Sequence, residues 1–197
     1  INDQVEMVDF DIPGAFLHNK LTKEHTNGVQ LLAKLPKGLP SPYENMLAAI
    51  LGTIYGLKQS NHIFEQDFIK TLAKHGFIQT RSCPHTFIKF CTINPLNSLT
   101  VNDHVDDNFI ISTSKTLLAE LETLIQQRYG NPKKIIFNYK STGICGVRLT
   151  KHNDYSVTAD VGDHIKSFLH RIGMDNVPAA LSPSRPDFNE KSNNTIR

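Results

Sequence analysis

The chain has 197 residues, 39% of them hydrophobic and 20% charged, with a formal net charge of +2. That balance describes a folded protein of one or two domains and excludes an intrinsically disordered chain. No apolar run approaches the roughly 20 residues a membrane helix needs and no signal peptide opens the chain. Cys83, Cys91 and Cys145 are too few and too unpatterned for a disulfide framework or a zinc site, so a reducing, intracellular setting is expected.

The first residue is Ile1, which suggests a piece of a longer polypeptide. Residues 4–12, QVEMVDFDI, alternate: Val8, Phe10 and Ile12 share one face, Met7, Asp9 and Asp11 the other. A half-buried strand is expected there, ended by Pro13-Gly14. Between 18 and 50, Pro36, Gly38, Pro40 and Pro42 break any long element, leaving a short strand near Val29 to Leu32 and a loop through PKGLPSP. The spacing of Phe64, Phe68 and Leu72, with Ile69 beside them, predicts a helix from Ser60 to about His75, capped by Ser60 and stopped by Gly76.

Residues 86–93 read as a strand, NPLNS as a turn, and 99–112 as two short strands around Asp103, Asp106 and Asp107. A second helix is predicted from about Lys115 to Tyr129, with Leu117, Leu118, Leu121, Leu124 and Ile125 inward. Ser114 caps it and Gly130-Asn131-Pro132 ends it. KKIIFNY, ICGVRLT and YSVTADV follow as three strands. A short helix from Asp163 to Ile172 turns Ile165, Phe168, Leu169 and Ile172 inward, and the Pro-, Ser- and Asn-rich tail from Asn176 is expected to be poorly ordered. This order predicts an α+β fold, an antiparallel sheet with helices packed on one face.

Charge is distributed unevenly. No acid occurs between Asp67 and Asp103, where Lys70, Lys74, Arg81 and Lys89 stand. None occurs between Glu122 and Asp154, where Arg128, Lys133, Lys134, Lys140, Arg148 and Lys151 stand. An acidic centre between two basic segments suits a polyanion held against an acid-bound cation; ordinary solvated faces are the plainer alternative.

The three aspartates in NDHVDDN repel one another unless a positive partner joins them. Asp106 and Asp107 at a bend between two strands project at the edge of the sheet, and an antiparallel neighbour could bring Asp9 or Asp11 beside them. Converging carboxylates form a hard-oxygen site suited to Mg²⁺, and paired Mg²⁺ ions about 4 Å apart support phosphoryl transfer. An EF-hand starting at Asp103 fails, because Asn108 and Ser114 occupy its sixth and twelfth positions. HExxH, Walker and GxSxG signatures are absent.

With these residues on view, the chain resembles the reverse transcriptase of Ty1/copia-type retrotransposons. DIPGAFLHNKL (11–21) looks like the first catalytic motif, IYGLKQS (54–60) like the most distinctive signature, and HVDD (104–107) like a Tyr-Val-Asp-Asp turn. AKLPKGL, HGFIQTRSCPHTFIK and ICGVRL are weaker echoes, and the likeness runs from about residue 5 to 183. His104 replaces the usual tyrosine, Asn61 a proline, Phe64 a tryptophan, and Cys145 a leucine.

The resemblance implies a polymerase palm over 1–150 with a residual fingers segment at about 18–52, and the start of a thumb in 151–197. It implies two Mg²⁺ ions, with Mn²⁺ a substitute. Of the two candidates on the first strand it selects Asp11 as a metal ligand, with the Ile12 carbonyl and Asp106. Asp107 becomes an auxiliary carboxylate near the primer end and Asp103 a bystander. Phe16 would pack under the incoming sugar, with plain core packing as its alternative. Tyr55, Gly56, Lys58, Gln59 and Ser60 would lie against nucleotide and template, Lys58 otherwise being a solvated lysine. Lys133, Lys134 and Lys140 would follow the nucleic acid.

The partners implied are an RNA or DNA template–primer and deoxynucleotides, with integrase and ribonuclease H in the parent polyprotein and virus-like particles in the cytoplasm as the setting. The family's fingers, with their grip on the triphosphate, precede the first motif, and only ten residues precede Asp11 here. Little polymerase activity is therefore expected of this segment alone. The rival reading is a catalytically inactive retroelement remnant that retains at most nucleic-acid or protein binding.

Overall fold

Alternating side chains make residue parity the main determinant of this fold. The structure, a computed structural model, describes residues 5–174 apart from 41, 44, 45, 140, 141 and 155. Strand β1 (Glu6–Asp11) leads through a 3-10 turn (Ala15–His18) to a two-stranded ribbon, β2 (Leu32–Lys34) and β3 (Leu47–Ala49). Helix α1 (Ser60–Lys74) follows, then β4 (Ile78–Gln79), β5 (Thr86–Phe90), β6 (Ser98–His104), β7 (Asp107–Ser112) and helix α2 (Lys115–Tyr129). Short strands β8 (Phe137–Asn138), β9 (Thr142–Ile144), β10 (Val147–Lys151) and β11 (Val157–Asp160) precede helix α3 (Gly162–Arg171).

Six strands form the main sheet in the order β4-β5-β6-β7-β1-β8, every described pairing antiparallel. Val8, Phe10 and Ile12 of β1 share a face with Ile110 of β7, Leu99 and Val101 of β6 and Phe87 of β5. On that face they bury Phe64, Phe68 and Leu72 of α1 and Leu117, Leu118, Leu121 and Ile125 of α2. Aromatic rings link the layers: Phe68 meets Phe87 edge-on at 6.2 Å, and Tyr129 lies 5.8 Å from Phe64. The opposite face carries Asp9 and Asp11, and the β9–β10 hairpin approaches it over β1 and β7. The fold is thus mixed α and β with antiparallel sheets and helices on one face of the largest, as the periodicities predict.

Several local expectations are corrected. Ser60 is not a cap: Gln59 holds that position, and the buried Ser60 hydroxyl donates to the Ile54 carbonyl at 2.7 Å. Ser114 does cap α2, accepting from the Leu117 N–H at 3.3 Å. The ribbon strand near 29–32 starts at Leu32, and β5 stops at Phe90 because the Cys91 N–H turns to the Asn97 carbonyl. ICGVRLT is not one strand but the join of β9 and β10, because Cys145 and Gly146 both take positive φ, 53° and 78°. Two consecutive positive φ values are what a tight two-residue hairpin requires.

The chain divides into two units, Ile1–Ala159 and Asp160–Arg197. In the second, α3 keeps the predicted helical period, but Ile165, Phe168 and Ile172 are exposed at 50%, 47% and 48% rather than turned inward. Periodicity says which residues share a face, not whether anything covers it. The tail from Asn176 lies outside the described residues.

Candidate active site at the Asp106–Asp107 turn

β6 and β7 are joined by a two-residue turn, Val105-Asp106, closed by the pair His104 and Asp107. Val105 carries φ 65°, a left-handed conformation rare for a β-branched residue and costly unless its surroundings enforce it. Hydrogen bonds to the turn's own backbone supply that enforcement. The Asp106 carbonyl accepts from the Ile12 N–H at 2.9 Å and from Asn108 Nδ2 at 3.2 Å. The turn is thereby stitched to the end of β1.

The same register sets Asp11 directly opposite Asp107, and His104 opposite Asp107 on its other side. Asp11, Asp107 and His104 therefore form one row on the sheet face away from the helices. Burial raises the Asp11 pKa first, and the charges of Asp106 and Asp107 raise it further. These carboxylates repel one another across the strand pair, and no cation among the described residues pairs with Asp11.

Asp9 is placed differently. Its two oxygens accept from Asn138 Nδ2 at 2.8 Å and from the Gly143 N–H at 3.3 Å, so it ties β8 and β9 to β1. Asp107 Oδ2 accepts from the Cys145 N–H at 2.6 Å, which anchors the β9–β10 turn; burial raises the Cys145 thiol pKa, and the Asp107 charge raises it further. A cleft of about 280 Å³ lies between Asp9, Asp107 and this hairpin. A larger groove of about 810 Å³ lies on the helix side, against Phe77, Lys89 and α2, and shares no residue with the carboxylates.

The donors here are hard oxygens: Asp11, Asp106, the free part of Asp107 and the Ile12 carbonyl, which also accepts from the Ala15 N–H at 3.1 Å. Among the described residues no three His, Cys, Asp or Glu side chains cluster as a metal cage. Mg²⁺ asks less, keeping several waters and taking one or two carboxylates plus substrate phosphates. The residues present fit it.

Phe16, at the 3-10 turn after β1, is half-buried; its ring meets Tyr55 at 5.0 Å and Phe64 at 6.3 Å. The Thr53 hydroxyl donates to its carbonyl and, at 3.0 Å, to that of Asn19. Tyr55, Gly56 and Lys58 are exposed just before α1, and Gly56 has φ 89° with open space where a Cβ would project. Gln59 is half-buried, and Ser60 faces the interior. Phe16 and Tyr55 thus bring the end of the first motif against the loop before α1. Lys133 and Lys134 are exposed after α2, and Lys140 lies outside the described residues.

Asp103, expected to stand outside the carboxylate site, is buried at 7% exposure on the opposite, helix face. Its Oδ2 lies 3.6 Å from His85 Nδ1, and His85 Nε2 lies 3.9 Å from Glu65 of α1. Burial pushes the Asp103 pKa up to about 6 against the opposing pull of His85. The strict alternation Leu99, Val101, Asp103 was the signal for this placement. The basic segments are also less free than their composition suggests: Lys89 pairs with Glu120 at 3.0 Å and Arg128 with Asp67 at 2.8 Å.

No helix among the described residues is long and apolar enough to cross a membrane. No protein-family model matches the chain. It is 24% identical over 185 residues to the retrovirus-related Pol polyprotein from transposon TNT 1-94 of Nicotiana tabacum. That match takes in 91% of this chain but only 13% of the polyprotein's length. Among solved structures, apo telomerase from Candida tropicalis truncated from its C-terminal domain aligns with a TM-score of 0.45 at 14% identity, over 79% of this chain and 35% of that one. Along most of its length the chain is therefore distantly similar to a segment of a retroelement Pol polyprotein.

Proposed function

We propose that the chain is the palm, with part of the fingers and the start of the thumb, of a Ty1/copia-type RNA-directed DNA polymerase. The observation that carries this reading is the register of β1 against β7, which sets Asp11 opposite Asp107 with Asp106 at the adjoining turn. The similarity to a transposon Pol polyprotein supports it.

Asp11, Asp106 and the Ile12 carbonyl would hold two Mg²⁺ ions. When bound, Mg²⁺ would neutralise the triphosphate and favour ionisation of the attacking hydroxyl. Asp107, restrained by the Cys145 N–H, would stay beside the primer end as an auxiliary carboxylate. Phe16, braced by Tyr55 and Phe64, would form the floor under the incoming sugar and disfavour a 2′-hydroxyl. Tyr55, Gly56, Lys58 and Gln59 would line the nucleotide and template, and the open space at Gly56 suits close backbone approach. Ser60 would hold that loop from below through Ile54. Lys133, Lys134 and Lys140 would follow the duplex backbone.

The test is primer extension on an RNA template with Mg²⁺, in a chain extended upstream to include fingers. Asp106→Asn should lower incorporation by at least about 1,000-fold. Equal extension by both proteins would sink the assignment.

A further inference from the structure

The helix side of the same hairpin holds two unpartnered acceptors. Asp103 and Asn108 are opposite one another in the β6–β7 register and buried at 7% and 0% exposure. Both belong to the face that carries Val101 and Ile110. Directly opposed residues place their Cβ atoms about 4.5–5.5 Å apart, so two side chains of this length meet. Yet Asp103 Oδ1 and Asn108 Oδ1 each have no hydrogen-bond partner among the described residues.

The other half of each group is engaged. Asp103 Oδ2 faces His85 Nδ1 at 3.6 Å, and Asn108 Nδ2 donates to the Asp106 carbonyl at 3.2 Å. Two buried acceptors left without a donor on paired residues are costly, whereas one proton on the carboxyl, donated to Asn108 Oδ1, would satisfy both.

We propose that Asp103 is a positioning residue for the Asp106–Asp107 turn: in its neutral form its carboxyl hydrogen donates to Asn108 Oδ1, which holds the Asn108 NH₂ on the Asp106 carbonyl. When Asp103 ionises, the Asn108 amide has a stronger acceptor to serve and turns its NH₂ to the carboxylate, because hydrogen bonds to charged groups outweigh neutral ones. The Asp106 carbonyl then keeps only the Ile12 N–H. Asn108 is a two-position latch, and the proton on Asp103 sets it.

The groups facing Asp103 are His85 from the segment before β5, Glu65 of α1 through His85, and His104 on its own strand. β7 presents Asn108, which does not titrate. The Asp103 pKa is raised from 3.8 to about 6, so the neutral form adds stability below about pH 4 that is lost as pH rises through about 6. The hydrogen bond stands independently of the polymerase reading; only its consequence for Asp106 as a metal ligand rests on that reading.

The experiment is a pH titration of the 197-residue chain, following the Asp103 carboxyl carbon and the Asn108 side-chain NH₂ by NMR. Both should move in one step near pH 6. In Asp103→Asn, whose own NH₂ donates to Asn108 Oδ1, the Asn108 resonances should keep their low-pH positions throughout. The Tm difference between the two proteins should change by about 5 °C between pH 4.5 and 7.5. An Asp103 carboxyl that titrates at the ordinary carboxylate pH, or an Asn108 amide that stays still while Asp103 titrates, overturns the proposal. The wild-type titration decides even where the variant fails to fold. A latch that holds while Asp106→Asn leaves extension intact would remove the polymerase reading alone.

Discussion

Asp103 and Asp107 lie four residues apart on one hairpin and meet opposite environments. Asp103 sits under the helices, buried beside His85, with one oxygen lacking any partner among the described residues. Asp107 sits on the far face, opposite Asp11 and anchored by the Cys145 N–H. The two-residue turn at Val105-Asp106 separates odd residues of β6 from odd residues of β7 onto opposite faces. The difference teaches that parity relative to a turn, more than residue type, decides whether a carboxylate is buried under the helices or set on the open face.

The largest test of that contrast is Phe10→Ala against its neighbour Asp11→Asn. Phe10 is 1% exposed on the helix face, and its truncation should cost about 4 kcal/mol in urea unfolding, whereas Asp11→Asn should cost nothing measurable. A large loss from Asp11→Asn would break the comparison.

A smaller effect is expected from Tyr129→Phe. The buried Tyr129 hydroxyl donates to Asp67 Oδ2 at 2.8 Å, and its loss should lower stability by about 1 kcal/mol in the same assay.

On the open face, Cys145→Asn should raise stability by roughly 0.5 kcal/mol, because Asn-Gly suits two consecutive positive φ values better than Cys-Gly. Unchanged or lower stability would indicate that the β9–β10 turn is not in that conformation.

The finest test is Asp11 itself. Its folded-state pKa is raised, so the neutral form adds stability that is lost as pH rises through that pKa. Asp11→Asn should flatten the decline of Tm with rising pH above about pH 4. Mg²⁺ should raise the wild-type Tm more than that of the variant.

Much of the fold was legible because apolar spacing is local. Val8, Phe10 and Ile12 mark β1, Phe64, Phe68 and Leu72 mark α1, and Leu117, Leu121 and Ile125 mark α2. The turn at Cys145-Gly146 was not legible, because Cys-Gly is a weak hairpin signal and its neighbours read as one apolar run. Ser60 looked like a cap, but its hydroxyl found the Ile54 carbonyl, six residues back. The basic tracts looked free because their partners, Glu120 and Asp67, lie 31 and 61 residues away in sequence.

From the sequence alone came the antiparallel sheet with helices on one face, a bend between two strands around Asp106 and Asp107, which the structure places at Val105-Asp106 with Asp107 opening β7, and the expectation that a carboxylate of β1 lies beside it. These follow from periods of 2 and 3.6 residues and from residue chemistry, all local properties. The tertiary structure set the two candidates of β1 apart: Asp9 spends both oxygens on Asn138 and Gly143, while Asp11, the one the resemblance selects, stands opposite Asp107. The tertiary structure likewise gave Asp103 its surroundings, buried beside His85 and opposite Asn108. Strand register and long-range partners depend on how distant segments pack, and no local pattern encodes them.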